Sequence, residues 1–349
     1  MALQASGPIS LGQIRNEFGP ISGPASFGAY RVNQSVGTLS NLSLDTGVPK
    51  PGEQISFSNF YSKRLNVVVD FHSIANDTTR RNARDRYNDN GVTVIGGFKS
   101  RPSSSSGTKV YINVNKRIGS DKASRNNVAL RTGSWDSNTQ LIAVIGSSGS
   151  LYGAGGDGGA GGGIPGNAGQ GGQGSSALGI EYPTTITNQG VIFSGRGGGG
   201  GGAGGYGWTF SDTQDGCEGR QDQTLRIGGG GGAGGRGLPG GNGGARNTQT
   251  ALKSSAEANL PKGGSSGTVD SNGSGGGGGS TSGGNRCNGH ASSGGGGNIE
   301  SGGGGGNVNY GGEGSGGQRG YAIIIGSGGS IISYTGNAAS GDTVSGTVS

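Results

Sequence analysis

Residues 195–207 read Gly-Arg-Gly-Gly-Gly-Gly-Gly-Gly-Ala-Gly-Gly-Tyr-Gly, and a second tract of this kind spans residues 228–244. Similar tracts recur between residues 153 and 320, separated by longer polar loops. Because glycine has no side chain to bury, this part of the chain has little material for a conventional core. How the tracts are ordered therefore decides the fold.

Three structures are open to such tracts. A flexible linker is the default for a glycine-rich chain. Collagen needs a strict Gly-X-Y repeat and much proline, but the chain has only 10 Pro in 349 residues. Polyproline-II-type helices packed side by side leave their amides to be satisfied by neighbours, and glycine lets the backbones approach closely. We favour the third structure, because the tracts are similar in length and ordered-looking segments frame them.

The composition divides the chain. Glycine accounts for 88 of the 349 residues, and apolar residues are concentrated before about residue 152 and after about residue 320. The predicted fold is a small α+β domain, then a polyglycine-II helix sandwich with short β-hairpins and little conventional secondary structure in the C-terminal half. The predicted regions are an N-terminal segment (1–64), the α+β domain (65–150), a polyglycine-II helix bundle with loops (151–320), and a β-hairpin and tail (321–349).

The N-terminal segment is small and polar. Its residues 10–18 predict a short helix with Ser10 as N-cap and with Leu11, Ile14 and Phe18 on one face. Residues 55–61 alternate in the manner of a strand. The segment is predicted to dock on a partner, and the alternative is a simple subdomain folded onto the rest of the chain.

Strands are predicted in the next region at residues 65–71, 92–95, 109–114, 128–131 and 141–145, with a short helix over residues 78–88. Three apolar stretches, at residues 141–153, 185–195 and 321–336, each read as strand, glycine-containing turn and strand. That spacing predicts three β-hairpins that bracket the glycine tracts.

The loops at residues 208–227, 245–262 and 280–293 carry most of the chemical variety of the glycine-rich region. Loops on a rigid scaffold are common sites of binding, and exposed aromatic and arginine side chains dominate binding energy. The order of the tracts suggests that the three loops point the same way. The candidate binding residues are Tyr206, Trp208, Phe210, Asp212, Asp215, Arg220, Arg246, Lys253, Arg286 and His290. The alternative for the three aromatic residues is packing at the end of the glycine tracts.

The sequence gives no sign of an enzyme, a cofactor or a metal site. His72 and His290 lie in different regions, and the many GxGxxG matches lack the strand, helix and acidic residue of a nucleotide site. Cys217 and Cys287 are expected to be free thiols, with a late-formed bridge between two loops as the alternative. The formal net charge of +6 is scattered, so no nucleic acid is expected as a partner. No apolar run is long enough for membrane insertion.

Residues 65–349 resemble the receptor-recognising adhesins at the tip of the long tail fibres of T-even-like phages. The resemblance is carried by Arg84-Asp-Arg-Tyr87, by the motif Leu151-Tyr-Gly-Ala-Gly-Gly-Asp-Gly-Gly159, and by the alternation of glycine tracts with variable loops. Residues 1–64 depart from that family, and they look similar to the start of various phage virion proteins.

The resemblance implies a virion protein without enzymatic activity, located at the tail fibre tip and assembled in the host cytoplasm. Its loops would bind an outer-membrane protein or a surface saccharide of the bacterial host, which initiates adsorption. Residues 1–150 would join a trimeric fibre tip or another virion fibre protein. The alternatives are a glycine-rich ice-binding or structural bundle protein and, less favoured, a surface polysaccharide depolymerase.

Overall fold

The structure is a computed structural model. It describes residues 2–21, 26–71, 81–89, 91–122, 124–163, 166–210, 221–248, 250–251, 257–282, 291–293, 295–298, 300–301, 303 and 313–346. In this part of the chain the helical elements are α1 (Leu11–Phe18), α2 (Ala83–Asn88) and two 3-10 helices, Phe27–Tyr30 and Phe57–Phe60.

Most of the regular structure is β. The strands are β1 (Gln34–Val36), β2 (Leu39–Leu42), β3 (Asn66–Asp70), β4 (Arg81–Asn82), β5 (Val92–Val94), β6 (Lys109–Val114), β7 (Arg117–Ile118), β8 (Val128–Arg131), β9 (Gln140–Ile145), β10 (Ser150–Tyr152), β11 (Ser176–Ile180), β12 (Pro183–Asn188), β13 (Val191–Phe193), β14 (Gly205–Phe210), β15 (Gln221–Ile227), β16 (Thr250–Ala251), β17 (Glu257–Asn259), β18 (Ser280–Ser282), β19 (Ala291–Ser292), β20 (Ile323–Ile325), β21 (Ser330–Gly336) and β22 (Thr343–Ser345).

Three of the sheets form a stack in which successive coils of the chain lie on one another. One sheet has the order β21-β12-β9-β6-β3-β5, the second β22-β20-β11-β8-β4 and the third β13-β10-β7. All neighbours in them are parallel except β3 and β5. Each complete coil thus gives one strand to each sheet, as β9, β10 and β11 do. We call these three sheets the strand stack.

The interior of the strand stack is filled by three ladders of apolar side chains. Each sheet contributes one ladder, in which the side chains of neighbouring strands lie in register. Val69, Ile112, Ala143 and Ile186 form one ladder; Ile118, Leu151 and Ile192 form the second; Leu130, Leu178 and Ile323 form the third. All of these side chains are buried in one apolar cluster. Parallel strands of this kind read as near-continuous apolar runs, as residues 141–145 do.

The three predicted β-hairpins are wrong. β9 and β10 do not pair with each other; each pairs in parallel with strands of neighbouring coils, and the same holds for β12 and β13 and for β20 and β21. The glycine-containing turns between them are corners of the strand stack. A strand-turn-strand signal is the same for a hairpin and for such a corner, because it is local and the pairing is not.

The predicted fold class is also wrong. The described part of the chain is mostly β-sheet, parallel and mixed, with α1 and α2 as its two α-helices. The positions of the strands predicted within residues 65–150 are confirmed by β3, β5, β6, β8 and β9, but they belong to the strand stack and not to an α+β domain. Of the predicted helix over residues 78–88, only Ala83–Asn88 is helical in the described part.

The N-terminal segment packs against the first strands of the stack. The predicted helix is confirmed as α1, where Ser10 and Gln13 form a capping box and Ile14 and Phe18 are buried. The strand predicted at residues 55–61 is wrong: a second capping box, between Ser56 and Asn59, starts the 3-10 helix there instead. Phe18, Tyr30 and Phe60 of this segment are buried in the core cluster of the strand stack. Its docking role stays a prediction.

Two buried carboxylates tie this segment to the strand stack. Glu17 accepts a hydrogen bond from the Leu65 amide at 2.8 Å. Asp45 pairs with Lys109 of β6, and the two side chains are only 3% and 9% exposed. Asp45 also accepts hydrogen bonds from the amides of Thr46 at 2.7 Å and Arg64 at 2.8 Å.

The glycine tracts are insertions into two coils of the strand stack. Residues 153–175 lie between β10 and β11, and residues 194–322 lie between β13 and β20. The tracts comprise residues 153–163, 166–175, 195–204, 228–248, 260–279, 295–303 and 313–320 in their described parts; we call them the glycine block.

Lateral hydrogen bonds between main chains hold the glycine block together, and they repeat every third residue. The amides of Gly153, Gly156, Gly159 and Gly162 donate to the carbonyl groups of residues 193, 196, 199 and 202. Successive amides of one tract serve different neighbours: Gly198 donates to Gly172, Gly199 to Ala233 and Gly200 to Ser301, at 2.8 to 2.9 Å. Each tract is thus bonded to several neighbours at once.

This spacing leaves no room for side chains at the centre of the block. A methyl group added at Gly198 would overlap the carbonyl oxygen of Asp157, and one at Gly200 would overlap that of Gly314. At Gly277, by contrast, an added methyl group would have nothing within 4 Å. Glycine is required where the main chains meet, because any β-carbon would separate them.

Candidate functional site

The glycine block has a near end at the strand stack and a far end. At the near end, the Leu238 amide donates to the carbonyl group of Gly153, the first residue after β10, and the Ser120 amide donates to the carbonyl group of Leu238, both at 3.0 Å. Further reversals near this end lie at residues 268–271 and 298–301. At the far end, the chain connects tracts that run toward this end with tracts that return from it. These connections are at residues 163–166, 204–228, 248–262, 279–293 and 303–313.

Charged and aromatic side chains fix the near end to the strand stack. The Arg236 guanidinium lies 4.3 Å from the ring centroid of Phe193, and that of Arg125 lies 4.3 Å from the ring centroid of Tyr321. Lys122 pairs with Asp157 at 2.7 Å. Arg-aromatic contacts of this kind contribute more when they are desolvated.

Glu300, in the tract at residues 295–303, ties two other tracts of the glycine block together. Its carboxylate pairs with Arg319 at 3.1 Å and with Arg196 at 3.6 Å. These side chains lie between the tracts that begin at residues 195 and 313, which stand side by side. The scaffold below the far end is therefore held by side chains as well as by main-chain bonds.

Two small antiparallel sheets stand at the far end. β14 pairs with β15, and β15 pairs with β16 through Arg226 and Ile227 opposite Ala251 and Thr250. β17, β18 and β19 form the second sheet. β14 and β15 also lie beside β19, so the two sheets are neighbours. Each sheet pairs segments from separate tracts, and this brings three predicted loops to one end of the glycine block.

Four of the ten predicted binding residues lie in the described part of the chain. Tyr206, Trp208 and Phe210 belong to β14, opposite Arg226, Thr224 and Gln221 of β15. Arg246 is exposed, and its guanidinium donates to the carbonyl group of Pro261 at 3.1 Å, which joins the two flanks of one loop. Asp212, Asp215, Arg220, Lys253, Arg286 and His290 lie outside the described residues, as do Cys217 and Cys287.

Two further connections at the same end were not among the predicted binding loops. One joins the tracts that end and begin at residues 163 and 166. In the other, Gly303 and Gly314 are hydrogen-bonded at 2.9 Å, beside the carbonyl oxygen of Gly201. The signal that could have revealed the second is the sequence Asn307-Val-Asn-Tyr310 inside a glycine tract.

Among the described residues, the titratable groups with a shifted pKa lie away from this end. The described carboxyl, tyrosine and lysine side chains with a shifted pKa lie in the strand stack and the N-terminal segment: burial raises the pKa of Tyr30, Tyr87 and Tyr111 and lowers that of Lys99, and hydrogen bonds lower that of Asp136. Within the described ranges, no group of three or more His, Cys, Asp or Glu side chains is placed to hold a metal ion. None of the described helices could span a membrane.

Comparison with protein families shows to which family the chain belongs. Residues 88–298 match the family described as phage tail fibre adhesin Gp38. The chain belongs to this family. The match begins in α2 and extends through both small sheets at the far end, whereas the N-terminal segment of residues 1–64 lies outside it. Comparison with curated proteins and with solved structures gives no match.

The match is to a family of phage tail fibre adhesins. It confirms the predicted resemblance and assigns the chain to a bacteriophage, as an adhesin located in the virion tail. Adhesins of this family are generally not enzymes. The family favours an adhesin over the ice-binding or structural alternative, and it leaves the receptor to be identified.

Proposed function

We propose that the far end of the glycine block binds a receptor on the bacterial host, either an outer-membrane protein or a surface saccharide, and that this contact initiates adsorption. One observation carries the proposal: the glycine block gathers the three chemically varied loops at the end that is away from the strand stack. In its described parts, the rest of the block is mostly main chain and offers few side chains for recognition.

The proposed contact residues are those predicted at this end: Tyr206, Trp208, Phe210, Asp212, Asp215, Arg220, Arg246, Lys253, Arg286 and His290. Aromatic and arginine side chains are the commonest binding hot spots. The glycine block supports this role because it holds loop ends in place at little conformational cost, and preorganised loops bind more tightly.

The opposite side of the molecule is proposed to face the virion. Residues 1–150, at the first coils of the strand stack, would attach to a trimeric fibre tip or another fibre protein. The N-terminal segment supports this proposal because it is built onto those coils through Glu17 and Asp45. The boundaries at residues 64, 150 and 320 stay a prediction, whereas coils of the strand stack replace the α+β domain and the C-terminal β-hairpin that were predicted between them.

The test is loop replacement. Residues 211–220, 252–256 and 283–290 would each be replaced by glycine-serine linkers of equal length, and binding of the purified chain to host cells would be measured. We expect each replacement to weaken binding and the triple replacement to abolish it, with unchanged thermal unfolding. Replacing Val269 and Asp270, at a near-end reversal, is the matched control and should leave binding intact. Unaltered binding by the triple variant would refute the proposal.

A further inference from the structure

The three loops at the far end differ in how they are closed. We call residues 208–227 loop 1, residues 245–262 loop 2 and residues 280–293 loop 3. Loop 1 closes on itself, because its outgoing strand β14 pairs with its returning strand β15. Loop 3 does the same through β18 and β19. In loop 2, by contrast, the described strands β16 and β17 belong to different sheets and do not pair with each other.

Each flank of loop 2 is bonded to a different neighbouring loop instead. On the outgoing flank, the Asn247 amide donates to the carbonyl group of Gly229 at 3.0 Å, and β16 pairs with β15 of loop 1. On the returning flank, β17 pairs with β18 of loop 3, and the Lys262 amide donates to the carbonyl group of Gly277 at 3.0 Å. Loop 2 thus bridges loops 1 and 3 through its main chain.

The base of loop 2 is closed by a side chain. The Arg246 guanidinium donates to the carbonyl group of Pro261 at 3.1 Å, which joins the two flanks where they leave the glycine block. The two sheets that these flanks enter are neighbours, since β14 and β15 lie beside β19. Loop 2 is therefore the segment through which the pairing of loop 1 continues into that of loop 3.

A receptor site built from separate loops binds more tightly when their relative position is fixed in advance, because ordering them on contact reduces the affinity. We propose that the strands of loop 2, Thr250–Ala251 and Glu257–Asn259, are a positioning element that holds loops 1 and 3 as one receptor surface. These strands act through main-chain pairing and not through side-chain contacts with the receptor. This inference rests on the receptor-binding role proposed above and assigns the strands of loop 2 their part in it.

Pairs of proline substitutions test the positioning role: Thr250→Pro with Ala251→Pro in β16, and Ala258→Pro with Asn259→Pro in β17. Two consecutive prolines remove the main-chain donor whichever position faces the neighbouring strand. We expect each pair to weaken binding of the full chain to host cells about tenfold, the cost of ordering one or two side chains at an interface. Serine at the same positions keeps the N–H groups and should restore binding to within about twofold of the parent.

Hydrogen exchange, measured by mass spectrometry, separates positioning from contact. The proline pair in β16 should speed exchange at residues 226–227 and leave residues 280–282 protected, and the pair in β17 should do the reverse, because each removes the partner of one strand. A variant that had only lost a receptor contact would leave both stretches unchanged.

Unchanged host binding by folded proline pairs, or equal weakening by the serine pairs, would overturn the proposal. If the proline pairs do not fold, exchange in the parent chain decides: amides at residues 250–251 and 257–259 that all exchange as fast as those of an unstructured peptide would overturn it. Host binding that survives the triple loop replacement would refute the receptor site and this inference with it. Binding that is lost in the triple replacement but unchanged in the proline pairs would refute this inference alone.

Discussion

The strand stack and the glycine block are both arrays of chain segments joined sideways by main-chain hydrogen bonds, yet they differ in what lies between the segments. The stack buries ladders such as Val69, Ile112 and Ala143 between its sheets. In the block, neighbouring main chains touch one another directly. The stack is therefore stabilised by burial of apolar side chains as well as by hydrogen bonds. The block depends on hydrogen bonds and close packing, with almost no hydrophobic contribution.

This contrast predicts that substitutions in the two regions lower the stability by different amounts. The largest loss is expected in the strand stack. Asp45→Ala should lower the free energy of unfolding by about 3–5 kcal/mol, because Lys109 would keep a buried charge without a partner. Denaturant unfolding followed by tryptophan fluorescence measures it. Asp270→Ala, at an exposed turn, is the control and should change little. A small effect of Asp45→Ala would mean that the N-terminal segment contributes little to the stack.

Within the glycine block, the largest loss of stability is expected from a single methyl group added where main chains touch. In Gly276→Ala the new methyl group would overlap the carbonyl oxygen of Lys262, and such overpacking costs about 1–3 kcal/mol. The neighbouring variant Gly277→Ala has nothing within 4 Å of the new methyl group and should be neutral within about 0.5 kcal/mol. Thermal unfolding of the two variants compares adjacent positions of one tract. Equal stability of the two would contradict the packing of the block as described.

Low pH should reduce the stability of the strand stack through protonation of Asp136. The Ser105 amide and hydroxyl group, then Ser104 and Arg84, lower the pKa of this carboxyl group. A lowered folded-state pKa gives stability above the unfolded pKa of about 3.9, and this stability is lost as the pH falls through the folded-state pKa.

Asp136→Asn should therefore be less stable than the parent near neutral pH, by about 1 kcal/mol because the side chain is 38% exposed. The difference should shrink below about pH 4. Denaturant midpoints across that range provide the measurement, with exposed Asp89→Asn as the control. A difference that does not change with pH would show that charge has no part in this contact.

The smallest effect is expected where the two regions meet. Lys122 and Asp157 pair at 2.7 Å across that boundary, but their side chains are 27% and 49% exposed. Exposed pairs contribute about 0–1 kcal/mol, so Lys122→Ala should shift the free energy of unfolding by less than 1 kcal/mol, an upper bound set by that range. A larger loss, measured by thermal unfolding at low and high salt, would show that this pair anchors the glycine block.

Local sequence signals predicted local structure well. The capping box at Ser10 and the spacing of Ile14 and Phe18 located α1, and apolar runs located β6 and β9. Pairing between distant segments was not predictable in this way. The turn at residues 146–149 looks the same whether its strands pair with each other or with strands of other coils, and parallel partners such as β12 and β21 are separated by the whole glycine block.

The candidate site shows the same limit. The loops at residues 208–227, 245–262 and 280–293 could be picked out because they are long, polar interruptions of the glycine pattern. The packing of residues 41–53 beside β3 could not be predicted, because no motif records this contact. The second capping box was overlooked because Ile55, Phe57 and Phe60 suggested alternation, whereas Ser56 and Asn59 fixed a helical turn.

The three-residue spacing of the lateral bonds sets a rule for insertions and deletions. Adding three residues to one tract would return every later amide to an equivalent position, provided that the tracts bonded to it lengthen too. Adding one or two would rotate the outward-facing residues of that tract, such as Asp157, into the place of a buried glycine. Natural variants of this adhesin should therefore change reach in concerted steps of three, while the loops between tracts change length without such restriction.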